Sequence, residues 1–177
     1  MATAKKQTSK KKPVKKATTS RRKVLATKPK SSAMTREQFL EYIGCFNRKD
    51  FEAVASYFTP NVTVEYYDNA IGPAVPARTL HGPQEFIQNY QQLTSAVKEV
   101  LELRDYLSSE DRVFAELYTE FHPYRDGEPA PGRVLWKKGI PVISTNWVVY
   151  DMVNGKMNRI RIAHWRLHDP ATAKYKD

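Results

Sequence analysis

His164 is the residue of this chain best suited to proton transfer, because an imidazole exchanges its proton near neutral pH. It follows Ile160 and Ile162 at two-residue spacing in a run rich in branched and aromatic side chains. Alternation along a strand puts these three on one face and Arg159, Arg161, Ala163 and Trp165 on the other. The face carrying the isoleucines should look inward, so the imidazole goes with it into a partly dry environment. Tyr66 stands in the same relation to Val62 and Val64, and its hydroxyl would donate to a carbonyl or enolate oxygen there. Asn146 offers an amide for the same task from the facing strand. Asp68, at the end of the run that holds Tyr66, is a candidate base, and Tyr118 is a further candidate for ligand binding. Each has a plainer role open to it: a structural histidine satisfied by its neighbours, a packing tyrosine, an outward asparagine, a turn aspartate. Tyr118 shares a face with Glu116, which also fits a solvated or partner-facing surface.

Other chemistries find little support in the sequence. No two histidines have close metal-ligand spacing, so no metal is expected. There is no phosphate-binding glycine loop, dinucleotide fingerprint or nucleophile elbow, so no cofactor is expected either. Cys45 is the single cysteine, which rules out an internal disulfide and fits a reducing compartment. No apolar run reaches the ~20 residues of a membrane span, nor does the N-terminus show the apolar segment of a secretory signal, so no membrane partner is expected.

The elements that must position these side chains can be traced from periodicity. Thr35-Arg36-Glu37-Gln38 has the form of a capping box, and Phe39, Leu40, Ile43 and Phe46 follow at helical spacing. Asp50 caps a second helix carrying Phe51, Val54, Ala55 and Phe58, which Thr59-Pro60 should stop. Residues 62–67 alternate as a strand, and residues 69–79, rich in Pro, Ala and Gly, form a loop. His81-Gly82-Pro83 leads into a third helix with Phe86, Tyr90 and Leu93 on one face. Residues 97–107 and 112–122 are strands around a turn at Ser108-Ser109-Glu110-Asp111. Residues 123–138 form an exposed excursion. Residues 141–167 form a long hairpin around Asn154-Gly155, since Asn-Gly between alternating runs is a strong local hairpin signal.

The charge is lopsided. Of the formal +10, twelve positive charges and no acid fall in residues 1–33, which leaves −2 for residues 34–177. The first segment has no aromatic residue and too little apolar surface to offset the entropy of ordering, so a disordered basic tail is expected there, with the folded domain in residues 34–177. Lys10, Lys11, Lys12, Lys15 and Lys16, with Arg21, Arg22 and Lys23 beyond, have the density of a nuclear-import signal or of an arm for nucleic acid. The expected partners are import receptors or nucleic acid, and the expected location is nuclear, or nuclear and cytoplasmic. A solubilising tail without sequence-specific duties is the alternative. The tail also resembles that of histone three at Lys6-Gln7-Thr8 and at residues 22–28, which match at all positions but one. It lacks the histone's second-position arginine, and the spacing between the two matches is longer. The resemblance implies that Lys23 and Lys28 are acetylatable, with loss of charge on modification.

The order helix, helix, strand, helix, then four strands gives an α+β architecture with about three helices over a curved antiparallel sheet. At this point residues 34–170 resemble the SnoaL-like branch of the nuclear transport factor two superfamily. The likeness is carried by Lys49-Asp50-Phe51-Glu52-Ala53-Val54-Ala55, Asn61-Val62-Thr63-Val64, His81-Gly82 with Phe86-Ile87, and the closing Asn154-Gly155-Lys156-Met157-Asn158-Arg159-Ile160. It implies a cone with one cavity for a small apolar or polyketide-like ligand, and a homodimer formed through the sheet. It also implies an activity, if the chain is an enzyme, among cofactor-independent isomerases, cyclases or lyases. The family's Asp-Arg-Asp epoxide hydrolases find only the types Asp68, Arg104 and Asp151 here. Its dehydratases, with paired histidines and tyrosines, find a loose echo in His164, Tyr66 and Tyr118. A non-catalytic nuclear or chromatin-associated module acting through the basic tail is the alternative function.

Overall fold

The computed structural model of the protein describes residues 33–68, 76–127 and 136–175. The basic tail, all but Ala33, therefore lies outside the described residues. Among the described residues the order is α1 (Arg36–Asn47), α2 (Phe51–Ala55), β1 (Phe58–Tyr66), β2 (Arg78–His81), α3 (Gly82–Thr94), β3 (Val97–Ser108), β4 (Arg112–Pro123), β5 (Val142–Val153) and β6 (Lys156–His168), closed by a 3-10 turn (Pro170–Thr172). The helices pack on one face of a six-stranded sheet of order β2-β1-β6-β5-β4-β3.

α1 starts where its caps are satisfied. Thr35 Oγ1 accepts from the Gln38 N–H at 3.2 Å, and Gln38 Oε1 accepts from the Thr35 N–H at 2.9 Å, the reciprocal bonds of a capping box. Phe39, Tyr42, Ile43 and Phe46 then recur every three or four residues and are buried. Leu40, expected on that stripe, is 40% exposed; one residue beyond Phe39 is a turn of about 100° away from the buried side. Asn47 ties the end of α1 to the open edge of β3 by donating to Leu101 O at 2.9 Å and accepting from the Leu101 N–H at 2.8 Å. The rings of α1 and α3 meet edge-on over the sheet, as Phe46 does with Tyr90 at 4.9 Å between centroids.

Three expectations need correction. The sheet is mixed, because β1 runs parallel to β6 while the other neighbours are antiparallel. A parallel pair needs a long crossover, and the whole of residues 67–155 supplies it. α2 ends at Ala55, and β1 begins at Phe58 with Pro60 inside it. The β1–β6 register slips between Phe58 and Thr63, which is where a residue lacking an N–H can sit in a strand. Arg78 and Thr79, expected in a loop, belong to β2 and pair with β1.

The hairpin of β5 and β6 turns at Asn154 and Gly155, with φ of 51° and 75°. Two left-handed residues in succession match the right-handed twist of the flanking strands. From that turn Ile160, Ile162 and His164 face the helices, while Arg159 and Arg161 face outward to Glu65 and Asp151. No helix among the described residues is long and apolar enough to cross a membrane.

Candidate functional site

Between the helices and the sheet lies a cavity of about 40 Å³, floored by β1 and by β3 to β6 and walled by Tyr42, Phe46, Phe86 and Tyr90. That is room for about one water at liquid density, far below the ~300–1,000 Å³ of pockets that engulf drug-sized ligands. A larger ligand therefore has to displace wall side chains.

The carboxyl group in it is that of Glu99. Alternation in β3 sets Glu99 on the inward face between Val97 and Leu101, and it is 8% exposed. Its Oε2 has no hydrogen-bond partner among the described residues. Burial without compensating donors pushes its carboxyl up to about 8, so near neutral pH it is chiefly the neutral acid and has a proton to donate. Tyr66 and Tyr90 face the same space, their hydroxyls 3.1 Å apart. Burial raises both phenols above their ordinary range, so both remain protonated donors. Asn146 Nδ2 donates to Thr119 Oγ1 at 2.8 Å and its Oδ1 accepts from Ser144 Oγ at 2.8 Å. One N–H of the amide remains beyond that bond.

At the mouth, β6 brings His164 against Asp68, just past the end of β1. Asp68 Oδ1 lies 2.7 Å from His164 Nδ1. Burial alone would raise the Asp68 carboxyl, but the hydrogen bonds and charge of His164, with Arg78 adding to them, outweigh it and hold the group below its usual range. An ionised Asp68 fixes the imidazole with Nδ1–H donating, which leaves Nε2 as the free acceptor when the ring is neutral. Arg78 lies over the Tyr66 ring at 4.2 Å from its centroid and donates to Asn89 Oδ1 at 3.0 Å. The cavity thus has neutral donors at its base and an aspartate-oriented imidazole at its rim.

A model of the SnoaL-like domain matches residues 38–160. The chain belongs to the SnoaL-like family. No curated protein matches it in sequence. Among solved structures, the SnoaL-like polyketide cyclase of Agrobacterium tumefaciens is 18% identical, with 70% of this chain and 85% of that one covered at a TM-score of 0.52. An NTF2-like protein of unknown function from Burkholderia pseudomallei is 17% identical over 76% and 90% of the two chains, at 0.54. The M. tuberculosis LEH-like epoxide hydrolase is 9% identical over 72% and 79%, also at 0.54. At such identities these likenesses establish the fold alone.

Within this SnoaL-like cone the sequence-derived candidates separate. Tyr66, Asn146 and His164 line the cavity, and Asp68 touches it through His164. Tyr118 does not. Alternation in β4 points Leu117 into the cavity and Tyr118 to the opposite face, where its hydroxyl donates to Glu120 at 2.6 Å. The types Asp68, Arg104 and Asp151 do not converge: Arg104 pairs with Glu102 at 3.1 Å, and Asp151 pairs with Arg112 at 2.9 Å and Arg161 at 2.7 Å. The candidate nuclear-import or nucleic-acid-binding residues of the tail, Lys10, Lys11, Lys12, Lys15, Lys16, Arg21, Arg22 and Lys23, lie outside the described residues. Among the described residues no group of three or more His, Cys, Asp or Glu side chains could hold a metal. Glu99 was missed in the sequence, although an acidic residue at alternate spacing with Val97 and Leu101 was a legible signal for an inward carboxyl.

Proposed function

We propose that the protein binds a small, largely apolar molecule in this cavity and moves a proton on it without a cofactor. The reading rests on one observation: the buried Glu99, whose Oε2 has no hydrogen-bond partner among the described residues, lines the same cavity as His164, whose Nδ1 lies 2.7 Å from Asp68. His164 Nε2 takes a proton from a carbon next to a carbonyl. Glu99, with Tyr66 and Tyr90, donates hydrogen bonds to the oxygen on which negative charge then develops. Return of the proton to a different carbon gives an isomer; attack of the enolate carbon on an internal carbonyl gives a cyclised product. Both outcomes conserve atoms and need no redox partner. The aromatic wall favours a flat, apolar substrate, and the small resting volume requires that Phe and Tyr side chains rotate to admit it.

The test uses an enolisable cyclic ketone in deuterium oxide, with label at the α-carbon followed by NMR. Wild-type protein should accelerate exchange above the buffer rate, and H164A and E99Q should each return it toward that rate. Equal exchange by wild type, both variants and buffer would refute proton abstraction in this cavity.

A further inference from the structure

On the side of the sheet away from the cavity, the chain turns back on itself. Beyond β6 the 3-10 turn Pro170–Thr172 is capped by Asp169, whose Oδ1 accepts from the Ala171 N–H at 2.9 Å. The chain then crosses β4 and β3 and meets Glu120, which is 0% exposed. Glu120 Oε1 accepts from Tyr118 Oη at 2.6 Å and from the Lys174 N–H at 2.7 Å. Its Oε2 lies 2.9 Å from His122 Nε2 and accepts from the Tyr175 N–H at 3.1 Å. The side chains of the same two residues are read as well. Lys174 Nζ is 3.3 Å from Glu102 Oε2 and 4.8 Å from the centroid of the Tyr118 ring, and Tyr175 Oη donates to Glu102 Oε2 at 2.8 Å.

None of residues 169–175 is buried, so the segment adds nothing to the core and is held by directed polar contacts. Charge-assisted bonds of this kind carry geometric specificity, and here the two acidic receptors and the aromatic ring are complementary to one dipeptide. Two of the donors to Glu120, the Lys174 and Tyr175 N–H groups, come from this segment, and the remaining receptor groups belong to β3 and β4. We propose that Glu120, Glu102 and Tyr118 form a peptide-recognition site for a Lys-Tyr segment, filled in cis by Lys174 and Tyr175 and available to a protein partner that carries the same dipeptide.

A tethered occupant has an effective concentration near the millimolar range, so a peptide in trans competes poorly until the tethered copy is disabled. Lys174→Pro disables it in the full chain, since proline has no N–H for Glu120 and no ammonium for Glu102. A fluorescent peptide copying residues 168–177 should bind the Lys174→Pro protein at least about tenfold more tightly than wild type. Binding should be lost when the Lys and Tyr of the peptide are alanine, and when Glu120→Gln is added to Lys174→Pro. Equal or absent binding to wild type and Lys174→Pro, or undiminished binding of the alanine peptide, overturns the proposal. A second measurement is independent of any variant's folding: hydrogen exchange of the wild-type chain should show slowed amides at Lys174 and Tyr175, and exchange at unfolded-chain rates would overturn it too.

Discussion

Asp68 Oδ1 meets both the ring Nδ1 of His164, at 2.7 Å, and the backbone N–H of His164, at 3.3 Å. The double contact joins the end of β1 to β6 and fixes ring and backbone together. Asp68→Asn should keep the hydrogen-bonding shape while losing the charge that orients the imidazole. Turnover is expected to fall in D68N, and by roughly 10²–10⁴-fold in H164A, the usual span for a lost acid or base. A steady-state rate comparison checks both, and unchanged rates in H164A would remove His164 from the chemistry.

Glu99 makes stability depend on pH in the opposite sense to an ion-paired acid. Its folded-state carboxyl sits at about 8 against 4.5 for the ordinary group, so between those values the folded chain holds a proton that the unfolded chain has released. Stability from this group is therefore greatest below 4.5 and declines as pH rises toward 8, with a slope of up to about 1.4 kcal/mol per pH unit. E99Q should flatten that slope. Urea unfolding of wild type and E99Q at several pH values measures it; parallel curves would contradict a buried, protonated Glu99.

Gly155 adopts φ of 75° at the β5–β6 turn. Gly155→Ala places a Cβ in the left-handed region and should cost about 1 kcal/mol, measured as a lowered midpoint of chemical unfolding with an unchanged slope.

Trp147 and Trp165 lie against each other on the outer face, tilted by 34° with centroids 4.6 Å apart, 44% and 48% exposed. We propose that two copies of the chain pair through this exposed apolar face. Trp147→Glu combined with Trp165→Glu is expected to shift the chain to monomer in sedimentation experiments. An unaltered sedimentation coefficient would place any assembly elsewhere.

The basic segment is expected to give salt-sensitive binding to DNA, because each phosphate contact releases condensed counterions. Gln in place of Lys10, Lys11, Lys12, Lys15, Lys16, Arg21, Arg22 and Lys23 should weaken binding and flatten its dependence on salt. We propose in addition that the segment directs the chain to the nucleus, so the wild type followed in cells should be enriched there and the variant should not. Equal affinity and distribution would reduce the segment to a solubilising role.

Much of the architecture is local in origin and could be read from residue order. Thr35 to Gln38 announce α1 because a capping box closes within four residues, and Asn154-Gly155 sets the β5–β6 register because the turn dictates it. From that register came the shared face of Ile160, Ile162 and His164. The parallel pairing of β1 with β6 was not legible, since it depends on a crossover spanning the rest of the fold. Nor was the contact between Asp68 and His164, 96 positions apart, which converts a turn aspartate into the group that orients an imidazole. Tyr118 shows the limit of alternation: the pattern said which residues share its face, but only the packed sheet determined that this face carries Glu120 and the C-terminal segment. Glu99 shows the same limit from inside, because side-chain type gives a carboxyl its ordinary acidity, while the tertiary arrangement withholds water and donors and thereby pushes its pKa up.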